Sequence, residues 1–140
     1  MKKKFSSKWK GSKQPRKQRK YQYNAPPHIR TEFLNVHLSK ELAKKQGIKR
    51  LRVRVGDKVK ILRGQFKGKE NKVEQVQLKT SKVMISGVEI SKKDGSKSRP
   101  LIHASNLIII ELNLDDKMRL RKNKKESEKE KDKEKQNTKA

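Results

Sequence analysis

The chain contains no cysteine, so neither disulfides nor thiolate metal sites are open to it. Aromatic residues are scarce, at 4% of 140 residues, and apolar residues reach only 29%. That is too little to fill a core along the whole length, which excludes a compact enzyme spanning the chain. No run approaches the roughly 18 apolar residues of a membrane span. No apolar stretch follows the N-terminal lysines either, so no secretory leader is expected. Acid is missing from the first thirty residues altogether; the first carboxylate is Glu32. What is abundant is base: 41 Lys and Arg against 15 Asp and Glu, a formal net charge of +26. A charge so far from zero calls for a polyanionic partner, and nucleic acid is the default one.

The charge is unevenly placed. Residues 1–30 hold eleven Lys and Arg, almost no aliphatics, and four of the six aromatics: Phe5, Trp9, Tyr21 and Tyr23. Such a segment is expected not to pack on itself. Rings spaced among bases suit an arm that follows phosphates and stacks on its target. The other end differs. From Lys124 the sequence KKESEKEKDKEKQNTKA alternates in sign and has no apolar face, so it reads as a solvated extension, disordered or loosely helical.

Between these ends the hydrophobic period changes. Ser39 is placed to cap a short helix with Glu41 in its first turn, Lys44 and Lys45 in its last, and Gly47 as its stop. Leu38, Leu42 and Ala43 give it one apolar edge. Beyond Gly47 the period is two: Val53 and Val55 alternate with Arg52 and Arg54, and Val59 and Ile61 with Lys58 and Lys60, across a Gly56-Asp57 turn. Val73, Val76 and Leu78 form a run whose phase slips at Glu74-Gln75, as over a bulge. Val83 and Ile85 begin another, and Gly87 precedes a phase change to Val88 and Ile90, read as a strand bending round a barrel. Asp94-Gly95 marks a hairpin turn, and Leu107–Ile110 is short enough for a buried strand. Five short strands with glycine-marked bends predict a mainly β, strongly curved sheet or small barrel with an aliphatic core. A domain so small is marginal alone, and its partner is expected to stabilise it.

Catalysis finds no footing. His28, His37 and His103 lack metal-ligand spacing, and no nucleophile or dinucleotide fingerprint is present. Gly64 and Gly68 followed by Lys69 superficially resemble a phosphate loop, but Glu70 stands where Ser or Thr would follow. No enzyme, cofactor, metal or small-molecule substrate is expected. The stretch VRVGDKVKILRGQFKGKENKV, residues 53–73, is instead a candidate binding loop. Gly64 and Gly68 allow a tight turn and close approach to a phosphate, and Arg63, Lys67 and Lys69 supply charge. Phe66 either stacks on a base or closes the end of the barrel.

This stretch resembles a KOW motif. Three further blocks stand in order around it: SKQPRKQRKYQYNAPPHIR at 12–30, HLSKEL at 37–42 and PLIHASNLIIIELNLDDK at 100–117. Together they are similar to the universal KOW-containing family of the large ribosomal subunit, number twenty-four in universal naming, in its archaeal and eukaryotic form. The resemblance covers roughly residues 12–121. It implies an SH3-like barrel on large-subunit rRNA near its 5′ end, beside the exit of the nascent-chain tunnel, with an early role in assembly. The implied organisation is an RNA-binding arm (1–36), a short helix and connection (37–50), the barrel (51–113) and a charged extension (114–140). It also implies neighbouring large-subunit proteins as partners, no membrane, and a cytoplasmic, ribosomal location. Matched residue by residue, Lys13, Arg16, Lys17, Arg19, Lys20, His28 and Arg30 become RNA contacts of the arm. Ser39 and Lys40 open the helix against RNA, and Arg63, Gly64, Phe66, Lys67 and Lys69 form the loop contacts. His103, Ser105 and Asn106 face sugar, phosphate or base edges.

Two positions depart from the family's pattern. Asn71 replaces a usual glycine, and asparagine tolerates left-handed backbone. Ala104 replaces a usual proline, which is expected to loosen its loop. Two other classes stand as alternatives: a KOW-bearing transcription factor, which needs an apolar protein-binding patch and a second domain, and a DNA-compacting chromatin protein, which needs a dimer interface or minor-groove wedges.

Overall fold

The computed structural model describes residues 3–116 and 118–120; the alternating-charge segment from Lys124 lies outside them. Nine strands form among the described residues, seven of them in one sheet. In chain order they are β1 (Asn35–Leu38), β2 (Arg50–Arg52), β3 (Lys58–Ile61), β4 (Glu70–Gln77), β5 (Lys82–Ile85), β6 (Ile90–Ser91), β7 (Lys97–Ser98), β8 (Ile102–His103) and β9 (Leu107–Glu111). The sheet runs β2-β1-β9-β3-β4-β5-β8, and β6 and β7 make a separate hairpin.

Closure follows from the connection between β8 and β9. These strands are four places apart in the sheet order, which in a flat sheet is roughly 19 Å. One 3-10 turn, Ala104–Asn106, joins them, and three such residues rise only about 6 Å. The sheet must therefore curl until its β8 edge returns to β9, giving a small β-barrel. Among the described residues the buried core cluster is aliphatic, and Val36, Val59, Ile61, Val83, Ile85 and Ile109 in it are essentially inaccessible.

Where local chemistry governs, the sequence reading and the structure agree. The helix Lys40–Gln46 (α3, after α1 Pro15–Asn24 and α2 Pro27–Arg30) is capped by Ser39, whose Oγ accepts from Leu42 N at 3.3 Å. It ends on Gly47 in the left-handed region. The register of β4 on β5 shifts between Val73 and Gln75, as the phase slip indicated. At Asp94-Gly95 the chain turns through Gly95 N to Lys92 O at 3.1 Å, with the Asp94 carboxylate taking Ser96 N.

Other expectations need correction. The pattern announces no strand before Gly47, yet β1 pairs with β2 and, in parallel, with β9, burying Val36 and Leu38 while Asn35 and His37 face out. Val55 does not continue the alternation: β2 stops at Arg52 and Val55 is exposed. The chain does not bend through Gly87 as one strand, because β5 ends at Ile85 and β6 belongs to the separate hairpin. Asn71 is not left-handed; it lies in β4 opposite Val59, and its side-chain amide donates to Ser86 O at 2.8 Å. Nor is Ala104 a loosening. Fully buried, it donates its N–H to Ser81 O at 3.2 Å, a bond no proline could make.

The arm also folds, contrary to expectation. Tyr21 is buried, with its ring stacked on Phe5 (centroids 5.3 Å apart) and edge-on to Phe33 (5.9 Å). Three aromatics distant in sequence supply what local aliphatics do not. Gln18 adds a clasp, its amide nitrogen reaching the carbonyls of Trp9, Lys10 and Ser12 at 3.0, 3.2 and 2.6 Å.

A buried ion pair fixes the exit from the barrel. Asp57 is inaccessible, and its two oxygens take Arg119 Nη1 and Nη2 in a fork at 2.6 Å each. Backbone N–H groups of Asn113 (2.9 Å) and Arg54 (2.8 Å) complete the carboxylate. The remaining terminal protons of Arg119 go to Asn113 O and Arg52 O. Gly56 must be glycine beside it: its φ is +87°, and a Cβ would lie 2.6 Å from the Asn113 amide nitrogen.

Candidate nucleic-acid interface

The loop between β3 and β4 is a closed structure. Ile61 N donates to Lys69 O at 3.0 Å and Gly68 N to Ile61 O at 2.8 Å, while Lys67 N to Gly64 O and Lys69 N to Phe66 O turn the tip. Gly64 and Gly68 have φ of +93° and +90°, and a Cβ on either would meet nothing within 4 Å. Backbone sign, rather than crowding within the protein, therefore dictates these glycines, and the space above them is open. Gly68→Ala is expected to cost about 1–2 kcal/mol in denaturant unfolding. An unchanged midpoint would mean that the loop relaxes into another turn.

Phe66 turns toward the barrel. Half-buried, it packs against the aliphatic core and closes that end of the barrel, and Lys69 Nζ stands 5.2 Å from its centroid. Arg63, Lys67 and Lys69 remain exposed and form no ion pair among the described residues.

The 3-10 turn Ala104–Asn106 adjoins this loop, because Leu62 N donates to Asn106 O at 2.8 Å. His103 caps the turn: its Nδ1 accepts Ser105 N at 3.3 Å and lies 2.9 Å from Ser105 Oγ. With Nδ1 accepting, the neutral ring carries its proton on Nε2, which makes that exposed nitrogen a donor. A second 3-10 turn, Thr31–Leu34, packs against the first and brings the end of the arm to the same place. Three blocks far apart in sequence thus converge at one end of the barrel.

Not every expected residue joins them. Ser39 N donates to Ile109 O, which places Ser39 and Lys40 beside β9 three residues beyond Asn106, or about 10 Å along the strand. Arg30 is engaged within the arm, donating Nε to Ala25 O at 2.8 Å and Nη2 to Tyr23 O. His28 is exposed at the start of α2. Lys13 is exposed just before α1. On α1 the helical period separates two faces. Gln18 and Tyr21 turn inward, while Arg16, Arg19, Lys20 and the 77% exposed Tyr23 share the opposite side, with Lys17 exposed at its flank. Lys20 Nζ lies 5.3 Å from the Trp9 ring. Tyr23, then, is the arm ring most open to stacking, since Phe5 and Tyr21 are used internally.

Charge pairing sharpens the contrast between surfaces. Across β3, β4 and β9, Lys58 meets Glu111 at 3.0 Å and Lys60 meets Glu70 at 2.7 Å; Arg99 reaches Glu74 at 3.0 Å. The Lys60 hydrogen bond holds the Glu70 carboxyl below its ordinary range, and the Arg54 hydrogen bond does the same for Asp116. These contacts thus persist at neutral pH and are lost only as pH falls through the lowered values. On this flank Lys58, Lys60 and Arg99 are matched by acids, whereas the cations of the loop and of the outer face of α1 form no ion pair among the described residues.

Sequence reasoning missed Arg50 and Arg52 on β2 and the Asp57–Arg119 pair. The alternation of Arg50 and Arg52 with buried Leu51 was the available signal for the first. Nothing local signals the second. Among the described residues no three His, Asp or Glu gather as a metal site, and no helix is long and apolar enough to cross a membrane.

Residues 12–125 match the family of ribosomal proteins described as L26 in eukaryotes and L24 in archaea. The chain is similar to the large ribosomal subunit protein uL24 of Methanocella arvoryzae, 49% identical over 109 residues that cover 78% of this chain and 88% of that protein. It is likewise similar to the uL24 proteins of Methanosphaera stadtmanae (49% over 108 residues, 77% and 92%) and Methanosarcina barkeri (44% over 108 residues, 77% and 93%).

Proposed function

The chain belongs to the family of eukaryotic L26 and archaeal L24 ribosomal proteins, and on that premise we propose how it serves the large subunit. It is a structural constituent of that subunit, not an enzyme, and it associates there with rRNA and other ribosomal proteins. In our reading the end of the barrel formed by the Arg63–Lys69 loop and the His103–Asn106 turn docks on rRNA near its 5′ end. The arm lays the Arg16–Arg19–Lys20 face of α1 along adjoining phosphates, neutralising them as RNA helices pack during early assembly. That docking would set the protein near the nascent-chain tunnel exit, on cytoplasmic ribosomes.

One observation carries the reading: loop, capped turn and arm terminus meet at one end, where Arg63, Lys67 and Lys69 form no ion pair among the described residues, while Lys58, Lys60 and Arg99 on the barrel flank are matched by the chain's own acids. Phosphate is the ligand that unpaired cations and backbone donors at an open glycine turn would serve. Sedimentation of cell lysate tests the assignment, with the chain expected to travel in stoichiometric amount with the large subunit through a moderate salt wash. Recovery near the top of the gradient would sink it. A chain carrying Arg63→Ala, Lys67→Ala and Lys69→Ala should fold normally yet bind rRNA with a salt slope shallower by about 2–3. An unchanged slope would remove the loop from the interface.

A further inference from the structure

The folded arm and the edge of the sheet border a cleft that the Arg63–Lys69 loop and the His103–Asn106 turn do not line; the Thr31–Leu34 turn joins it to the docking end. The cleft measures about 910 Å³, within the size range of small-ligand sites. One wall is α1, presenting Gln22; the other is β2, presenting Arg50 and Arg52; Phe33 and Asn35 lie between. Two acids also line it, but each has its own partner: Glu32 lies 3.8 Å from Lys10 and Asp116 lies 2.6 Å from Arg54. Among the described residues Arg50 and Arg52 have no ion pair, and the side-chain amides of Gln22 and Asn35 make no hydrogen bond.

The backbone of β2 is available as well. Leu38 N donates to Lys49 O and Val53 N to Leu34 O, so Lys49, Leu51 and Val53 form the bonded side of the ladder. By antiparallel alternation the N–H groups of Arg50 and Arg52 point away from β1. No strand among the described residues covers them, because β2 is the edge of the sheet. Arg119 takes the Arg52 carbonyl, which leaves donors in excess on this edge.

We infer that this cleft holds a single unstacked nucleotide of the rRNA. This rests on the RNA-binding reading above and deepens it. Each part of a nucleotide finds its complement. The phosphate meets two guanidinium groups and edge N–H donors. The base lies against the half-buried Phe33 ring or a guanidinium plane. The amides of Gln22 and Asn35 offer both donors and acceptors to a base edge. An edge strand also accepts an extended peptide, but the unpaired guanidinium groups and the net charge of +26 favour the anionic partner.

The test uses the full chain, single-stranded oligouridylate and oligoadenylate of about twelve nucleotides, and an RNA duplex of the same length, all at one ionic strength. The variant Arg50→Lys/Arg52→Lys keeps the charge but loses the planar fork and stacking face. It is expected to bind the single strands about tenfold more weakly, to bind the duplex as the parent does, and to keep the parent's thermal unfolding midpoint. Gln22→Ala should shift the preference between the two single strands. Crosslinks from a thiouridine-bearing strand should map to the peptides containing Gln22 and Phe33. Parental single-strand affinity in the lysine variant, or crosslinks confined to the Arg63–Lys69 loop, would overturn the inference. So would a variant that keeps its RNA affinity but loses association with neighbouring large-subunit proteins, since the edge would then be a peptide site. Failure of the parent chain to bind any of these RNAs would strike the RNA-binding reading itself, a distinguishable result.

Discussion

Replacing Arg119 by methionine is expected to lower the stability of the barrel by about 3–5 kcal/mol, since it strands a buried carboxylate. Asp57 would keep its two backbone donors from Arg54 and Asn113 but lose both bonds of the fork. For a domain of this size the loss corresponds to a fall of roughly 10–20 °C in Tm. Arg119→Lys keeps a charge but not the fork, so it should fall between the two. Substituting both members, Asp57→Ala with Arg119→Met, should recover part of the loss, because no uncompensated charge then remains. Denaturant unfolding of these proteins together with Asp57→Ala alone would close the cycle and measure the coupling. A single-variant midpoint equal to the parent's would show that the pair does not hold the exit of the barrel.

The second large effect is on affinity. The arm and loop present eight candidate phosphate contacts: Lys13, Arg16, Lys17, Arg19, Lys20, Arg63, Lys67 and Lys69. Counterion release from that many sites should weaken rRNA binding by roughly three to four decades between about 50 and 200 mM salt. The salt bridges along β3, β4 and β9 should contribute nothing to this slope, because their cations are already matched within the protein. Lys58→Gln should therefore leave the slope as it was. Filter binding across a salt series reads both quantities. A flat dependence, or a slope changed by Lys58→Gln, would contradict the division of the surface into paired and unpaired regions.

What the sequence made readable follows from the range of the forces involved. Ser39, Gly47, Asp94-Gly95 and the slip at Glu74-Gln75 act within four or five residues, so each could be identified without its tertiary setting. β1 could not. Its two buried side chains, Val36 and Leu38, form too short a pattern to announce a strand, and the parallel partner β9 lies some seventy residues on. The aromatic cluster of the arm had the same difficulty. Phe5, Tyr21 and Phe33 looked like rings offered outward because nothing adjacent in sequence packs on them. Within the candidate site, the types of residue were evident from glycine, base and histidine spacing, but their commitments were not. Arg30 and His103 have partners inside the chain that only the fold reveals. Asp57 and Arg119 are 62 residues apart, and each alone is an ordinary surface residue type.

The parallel pairing of β1 with β9 also sets an order of events during synthesis. β1 cannot be completed until residues 107–111 have been made, and the Arg119 fork closes later still. At about 5–20 residues per second, the basic arm exists for roughly 4–14 s before its barrel can close. During that interval the chain is a polycation without a fold, free to engage any polyanion it meets. Closure of the barrel by its last strand is thus the step at which an indiscriminate binder becomes a shaped one.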